Sequence, residues 1–185
     1  MKRIYVVRHC RADGQEVEAL LTKEGKEQAE NLALFFKDKN IQRVISSPMT
    51  RAIQTIEPFT NKTNLNIQVD ERLSERILSI ENYPDWMEKL KQTFDNIDLK
   101  FKGGESSREA SERIFNVINE VKDSDTENTI IVSHGNIITL LLKKLNQEVS
   151  FEDWKKVTNP DVFLLEYSEG EWCYKRVWNL DEIVK

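Results

Sequence analysis

The sequence predicts an α/β fold in three layers, with helices on both faces of a mostly parallel central sheet that carries one antiparallel edge strand or hairpin. Three observations carry this. Ile4-Tyr5-Val6-Val7 reads as a buried strand that ends abruptly in Arg8-His9-Cys10, and Thr129-Ile130-Ile131-Val132 is a second such run, ending in Ser133-His134-Gly135. Between them strand-like runs alternate with amphipathic helical stretches, the rhythm of βαβ units. Near the carboxyl end, residues 162–167 and 172–177 flank Glu169-Gly170 as a hairpin.

Taken in order, a polar loop over residues 11–19 follows the first strand. Thr22 is the N-cap candidate of the next helix, where Ala29, Leu32, Ala33 and Phe36 recur at helical spacing, and which is expected to end near Lys39-Asn40. Arg43-Val44-Ile45-Ser46 is the second strand. Ser47-Pro48 opens another helix, with the proline in or near its first turn, where a missing N–H costs nothing. Arg51 falls within about a turn of that start, and a helix N-terminus attracts anions. A third strand is expected at Asn66-Ile67-Gln68-Val69.

From 72 to 104 the pattern is least regular. Ile77, Ile80, Tyr83, Trp86, Leu90 and Phe94 suggest one or two short helices, which Gly103-Gly104 breaks off, and residues 75–104 are read as a segment covering a pocket. Residues 106–122 form a helix, with Ser106 and Glu109 in capping-box spacing and Ala110, Ile114, Val117, Ile118 and Val121 as its apolar stripe. The strand ending at His134 follows. A helix over 137–145 would then aim N–H groups near Gly135 and Asn136 into the pocket.

At 185 residues the chain reads as one domain, 1–185, large enough to bury a core without metal or disulfide staples. Apolar residues make up 39% and charged residues 32%, and no run of ~20 apolar residues is present to span a membrane. The start Met1-Lys2-Arg3 runs straight into a strand rather than a signal-peptide core, so a cytoplasmic location is expected. Cys10 and Cys173 have neither metal-ligand nor disulfide-framework spacing. A net charge of −5 argues against a nucleic-acid partner. Trp154, Trp172 and Trp178 fit an interface or a completed core equally well, so the sequence assigns no oligomeric state.

His9 and His134 are the only histidines. In open α/β sheets ligands bind outside the carboxyl ends of the strands, so the two would face each other across one pocket, each beside a small residue. If Arg8, His9, Arg51 and His134 converge, two guanidinium forks and two imidazoles fit a phosphoryl group best. Like charge from the arginines should lower the His9 pKa and leave a ring nitrogen free to attack phosphorus, giving a phosphohistidine intermediate. The arginines and His134 would neutralise the equatorial oxygens with no metal or other cofactor. A leaving alkoxide needs a proton. Glu75, just ahead of the covering segment, is the choice over Asp70, Glu71 and Glu81. Arg11, Arg76, Lys100 and Lys102 read as solvated charges in preference to a second anion site.

These residues resemble the histidine phosphatase superfamily, also called phosphoglycerate-mutase-like. Arg8-His9-Cys10 is similar to its Arg-His-Gly signature; Leu21-Thr22-Lys23-Glu24-Gly25 followed by Gln28-Ala29, Ser46-Ser47-Pro48-Met49-Thr50-Arg51-Ala52-Ile53-Gln54-Thr55, Leu73-Ser74-Glu75, Gly103-Gly104-Glu105-Ser106 and Ser133-His134-Gly135 resemble its later blocks, in order. The resemblance implies His9 as the phosphorylated nucleophile, Arg8, Arg51 and His134 as phosphoryl ligands, and Glu75 as acid/base. It places Gln15 where relatives often have an asparagine touching phosphate, with the backbone near Asn136 as a further donor. Cys10 replaces a glycine, and Ala12 stands where relatives often carry a hydroxyl. The implied activity is hydrolysis of a small phosphorylated metabolite, since the short covering segment ranks a hydrolase above a mutase. A silent phosphate-binding module and a protein phosphatase are the alternatives.

Overall fold

The strand-like runs pair into one six-stranded sheet in the computed structural model, which describes residues 1–179; the final six residues of the predicted domain, 180–185, lie outside the described residues. The strands are β1 (Lys2–Arg8), β2 (Arg43–Ser46), β3 (Ile67–Val69), β4 (Asn128–Ser133), β5 (Asp161–Ser168) and β6 (Glu171–Arg176), in the spatial order β3-β2-β4-β1-β5-β6. The first four pair in parallel, and β5 and β6 extend the β1 side antiparallel as the expected hairpin. β1 and β4 are central, and their uninterrupted apolar runs follow from burial on both faces.

One face packs under α1 (Lys23–Phe36) and α2 (Thr50–Thr63), where Leu32, Phe36, Ile56 and Phe59 meet Tyr5, Val7, Ile130 and Val132. The other packs under α4 (Ser107–Lys122) and α5 (Gly135–Leu145), where Ile114, Ile118, Ile137 and Leu141 meet Ile4, Val6 and Ile131. α3 (Trp86–Asp95) and α6 (Phe151–Lys156) join a smaller cluster through Leu90, Phe94 and Phe151. Trp178 packs on Phe35 and Trp172 on Tyr167, so these two tryptophans complete the core. No helix among the described residues is long and apolar enough to cross a membrane.

Local chemistry explains the helix starts. The Thr22 hydroxyl accepts the Gly25 N–H at 2.9 Å, and Ser106 with Glu109 forms the expected capping box. α1 ends at Phe36, ahead of Lys39-Asn40. α2 starts at Thr50, later than Ser47-Pro48, because the Ser47 N–H still bonds the Val132 carbonyl and so continues the sheet. α5 starts earlier than expected, at Gly135 with His134 as its N-cap. Residues 75–104, expected to cover the pocket, contain one helix, α3, after a non-helical stretch, and the ends of this segment are tied together by Ile80 N–H to Lys102 O and Glu105 N–H to Ile77 O. α6 was not expected. Six residues are too few to show a periodicity, and only the Ser150/Asp153 capping box marks it.

Candidate active site

Parallel pairing of β1 with β4 sets Arg8 opposite Ser133, so His9 and His134 leave adjacent strands at the same height. Their ring centroids are 5.1 Å apart. Both rings are buried. The Nδ1 of His9 lies 2.7 Å from its neighbour's carbonyl, Cys10 O. Only a protonated Nδ1 can bond a carbonyl, so Nε2 carries the lone pair. Arg51 Nε donates to that Nε2 at 3.3 Å. His134 Nε2 lies 2.7 Å from the Ser47 hydroxyl, while its Nδ1 is buried without a partner.

The two arginines arrive from different elements. Arg8 ends β1 and donates through Nη1 to Val157 O at 2.6 Å, leaving its Nε buried and unpartnered. A Cβ on Gly135 would stand 2.9 Å from Arg8 Nε, so any other residue here would push the guanidinium aside. Arg51, the second residue of α2, is 1% exposed and donates to Gln15 O and Glu16 O. Among the described residues neither arginine makes an ion pair with a carboxylate. Burial lowers both pKa values, with the more distant Glu75 charge opposing in each case. Two guanidiniums held side by side without a paired carboxylate make a pocket that calls for an anion.

Glu75 follows the short 3-10 turn Glu71–Leu73 and lies across the start of α5. Its Oε1 accepts from Arg76 N–H and Ile137 N–H at 2.7 and 3.0 Å, and its Oε2 from Asn136 N–H at 3.0 Å. The carboxylate thus occupies the helix N-terminus expected to meet phosphate, and the Asn136 N–H is engaged by Glu75. The Asn136 side chain is buried without hydrogen-bond partners. Gln15 reaches Arg51 through its backbone carbonyl, and its side chain is exposed. Residues that the sequence did not single out support the site: Arg113 binds the carbonyls of Arg72 and Ser74 and pairs with Glu105, so it holds the backbone leading to Glu75.

Cys10 is fully buried, and burial pushes its thiol up to about 12, which makes it a small filler rather than a reactive thiolate. Arg76 is buried, donating to Glu105 O and Thr93 Oγ1, and is not the solvated charge expected. Arg11, Lys100 and Lys102 pair with Glu24, Glu109 and Glu81 at exposed positions.

His9 is lowered to about 3, first by burial; the Cys10 carbonyl opposes this, and Arg51 and Arg8 add to it. Like charge, the cause expected from the sequence, is thus secondary. His134 is lowered well below its usual value, again first by burial and then by His9 and the arginines. Both rings therefore fold neutral, whereas in the unfolded chain they take up protons below about 6.5. For His9, stability from this source is complete above that pH and falls as pH drops from about 6.5 toward about 3, by about 1.4 kcal/mol per pH unit, and His134 acts in the same direction. In phosphate-free buffer the urea midpoint is expected to decline over this range, and less steeply in His9→Asn, which cannot titrate; equal slopes would contradict the assignment.

The model of the histidine phosphatase superfamily (branch 1) matches residues 4–180. The chain belongs to this superfamily. Among curated relatives, this histidine phosphatase is 32% identical over 152 residues to "Putative phosphoserine phosphatase 2" of Hydrogenobacter thermophilus, covering 73% of this chain and 74% of that one. It is 24% identical to "Probable phosphoglycerate mutase GpmB" of Shigella dysenteriae serotype 1, covering 93% and 88%. Among solved structures, phosphoserine phosphatase from Entamoeba histolytica in complex with 3-phosphoglyceric acid aligns with a TM-score of 0.79 at 18% identity, covering 97% and 98%. A mycobacterial glucosyl-3-phosphoglycerate phosphatase with inorganic phosphate aligns with a TM-score of 0.78 at 22% identity, covering all of both chains. A phosphoglycerate mutase from Bacillus anthracis aligns with a TM-score of 0.76 at 20% identity, covering 99% and 95%, so the mostly parallel architecture is phosphoglycerate-mutase-like.

Proposed function

We propose that this histidine phosphatase is a phosphomonoester hydrolase that acts on a small phosphorylated metabolite in the cytoplasm, without a metal, through a phosphohistidine at His9. The observation that carries the reading is the pair of carboxylate-free guanidiniums, Arg51 buried and Arg8 half-buried, flanking an imidazole whose Nε2 bears the lone pair. Nε2 of His9 attacks phosphorus as the bond to the leaving oxygen breaks, and Glu75, in its acid form, gives that oxygen a proton. Arg8, Arg51 and His134 meet the charge on the phosphoryl oxygens. Water then attacks the phosphohistidine, Glu75 takes its proton, and the P–N bond breaks to release phosphate and restore neutral His9. In this reading the incoming phosphoryl oxygens displace the Glu75 carboxylate from α5, which frees the Asn136 N–H to bind them and turns Glu75 toward the leaving group. The Gln15 amide closes the exposed edge of the site.

Hydrolysis is favoured over phosphoglycerate-type transfer because the cations available for a second anionic group are already engaged: Arg11 by Glu24, Lys100 by Glu109, Lys102 by Glu81, and Arg76 within the fold. The test is phosphate release from an aryl phosphate, phosphoserine and 3-phosphoglycerate in the presence of a strong chelator. Turnover surviving chelation is expected. Turnover lost on chelation would overturn the metal-free mechanism, dependence on a bisphosphate primer would favour the mutase, and no turnover on any ester would favour a binding module.

A further inference from the structure

The peptide unit that follows His9 is gripped at both ends by side chains from distant parts of the chain. Its carbonyl, His9 O, accepts from Asn159 Nδ2 at 2.9 Å, and its N–H, on Cys10, donates to Thr55 Oγ1 at 2.8 Å. Thr55 is fully buried on α2, and its hydroxyl proton goes to Arg51 O at 2.7 Å, so only lone pairs remain to face Cys10. The same hydroxyl therefore ties the backbone of Arg51 to that of His9. Asn159 stands on an equally constrained loop. Asp161, fully buried opposite Arg8, accepts from Thr158 N–H and Val162 N–H and pairs with Arg176 at 2.7 Å, while Val157 in the same loop takes the Arg8 guanidinium.

The orientation of this peptide matters because the next carbonyl, Cys10 O, accepts the His9 Nδ1–H. We propose that Thr55 and Asn159 are positioning residues that clamp the His9–Cys10 peptide and thereby hold the His9 ring in the tautomer and direction that present Nε2 to phosphorus. Neither touches the reacting atoms. The inference rests on His9 being the nucleophile. If the peptide is free to rotate, Cys10 O leaves Nδ1, the proton redistributes to Nε2 in part of the population, and that part cannot attack.

The test uses Thr55→Val, which keeps the shape and removes the hydroxyl, Thr55→Ser, which restores it, and Asn159→Ala. Thr55→Val and Asn159→Ala are expected to lower kcat about tenfold each, with KM within about twofold, and Thr55→Ser to recover most of the loss. Because the chain has only two histidines, long-range nitrogen–proton NMR of the imidazoles reads the His9 tautomer directly: Nδ1–H alone in the wild type, with an Nε2–H population in both variants. Unchanged kcat would overturn the clamp. So would a fall in kcat with the Nδ1–H form intact, since the residues would then be merely structural. Should Thr55→Val fail to fold, Asn159→Ala, at a half-buried loop position, decides alone. Absence of hydrolysis in the wild type would sink the proposed activity, yet the ring spectra would still report whether the clamp sets the tautomer.

Discussion

His9→Ala is expected to lower kcat for chelated aryl phosphate hydrolysis by at least about 10⁴-fold, a loss of more than about 5 kcal/mol of transition-state stabilisation. The reason is local. Nε2 of His9 bears a lone pair held only by the long 3.3 Å bond from Arg51, whereas His9 Nδ1 is bound to Cys10 O, His134 Nε2 meets the Ser47 hydroxyl, and His134 Nδ1 has no arginine donor against it. Removing the ring leaves two charged guanidiniums that still bind phosphate but have no atom to accept the phosphoryl group. The variant should therefore retain phosphate binding, measured by calorimetry, while turnover disappears. Substantial residual turnover would place the nucleophile elsewhere.

Glu75→Gln is expected to separate substrates by their leaving groups. An alkoxide needs a proton as it departs, so alkyl phosphates should lose about 10²- to 10⁴-fold in kcat. An activated aryl phosphate, whose phenolate leaves unaided, should lose far less in the first step. The substitution keeps one acceptor oxygen but turns the other position into an NH2 group, which meets either the Asn136 or the Ile137 N–H. A thermal melt must accompany the assay, because the start of α5 loses one bond. Equal losses on alkyl and aryl esters, in a variant that melts normally, would show that Glu75 orients the site without moving a proton.

The features legible in the sequence were those fixed by neighbours along the chain. Two apolar runs ending in histidine, the Thr22 and Ser106 caps and the stripe of α4 follow from spacing, and parallel pairing then placed His9 beside His134. What was not legible depends on partners far away in sequence. The Asn159 and Thr55 contacts to the His9–Cys10 peptide span 150 and 45 residues; Thr55 ends a block that resembles the family's, but nothing local names its partner, and no local pattern marks Asn159. Gln15 enters through its carbonyl, where side-chain chemistry is no guide. Arg76 looked like a surface charge, although the backbone just ahead of α4 gives it an acceptor in Glu105 O. The order of causes at His9 was also hidden, because burial is a property of the whole fold and the neighbouring arginines are visible in the sequence.

The most direct test of the account is rapid acid-free quenching of the wild-type enzyme with a ³²P-labelled phosphomonoester under chelation, followed by mapping of the label. The account predicts a base-stable, acid-labile phosphoryl group on the peptide carrying His9, formed before phosphate is released and absent from His9→Ala. Steady turnover with no label at any quench time, or label on a serine or carboxylate, would contradict it.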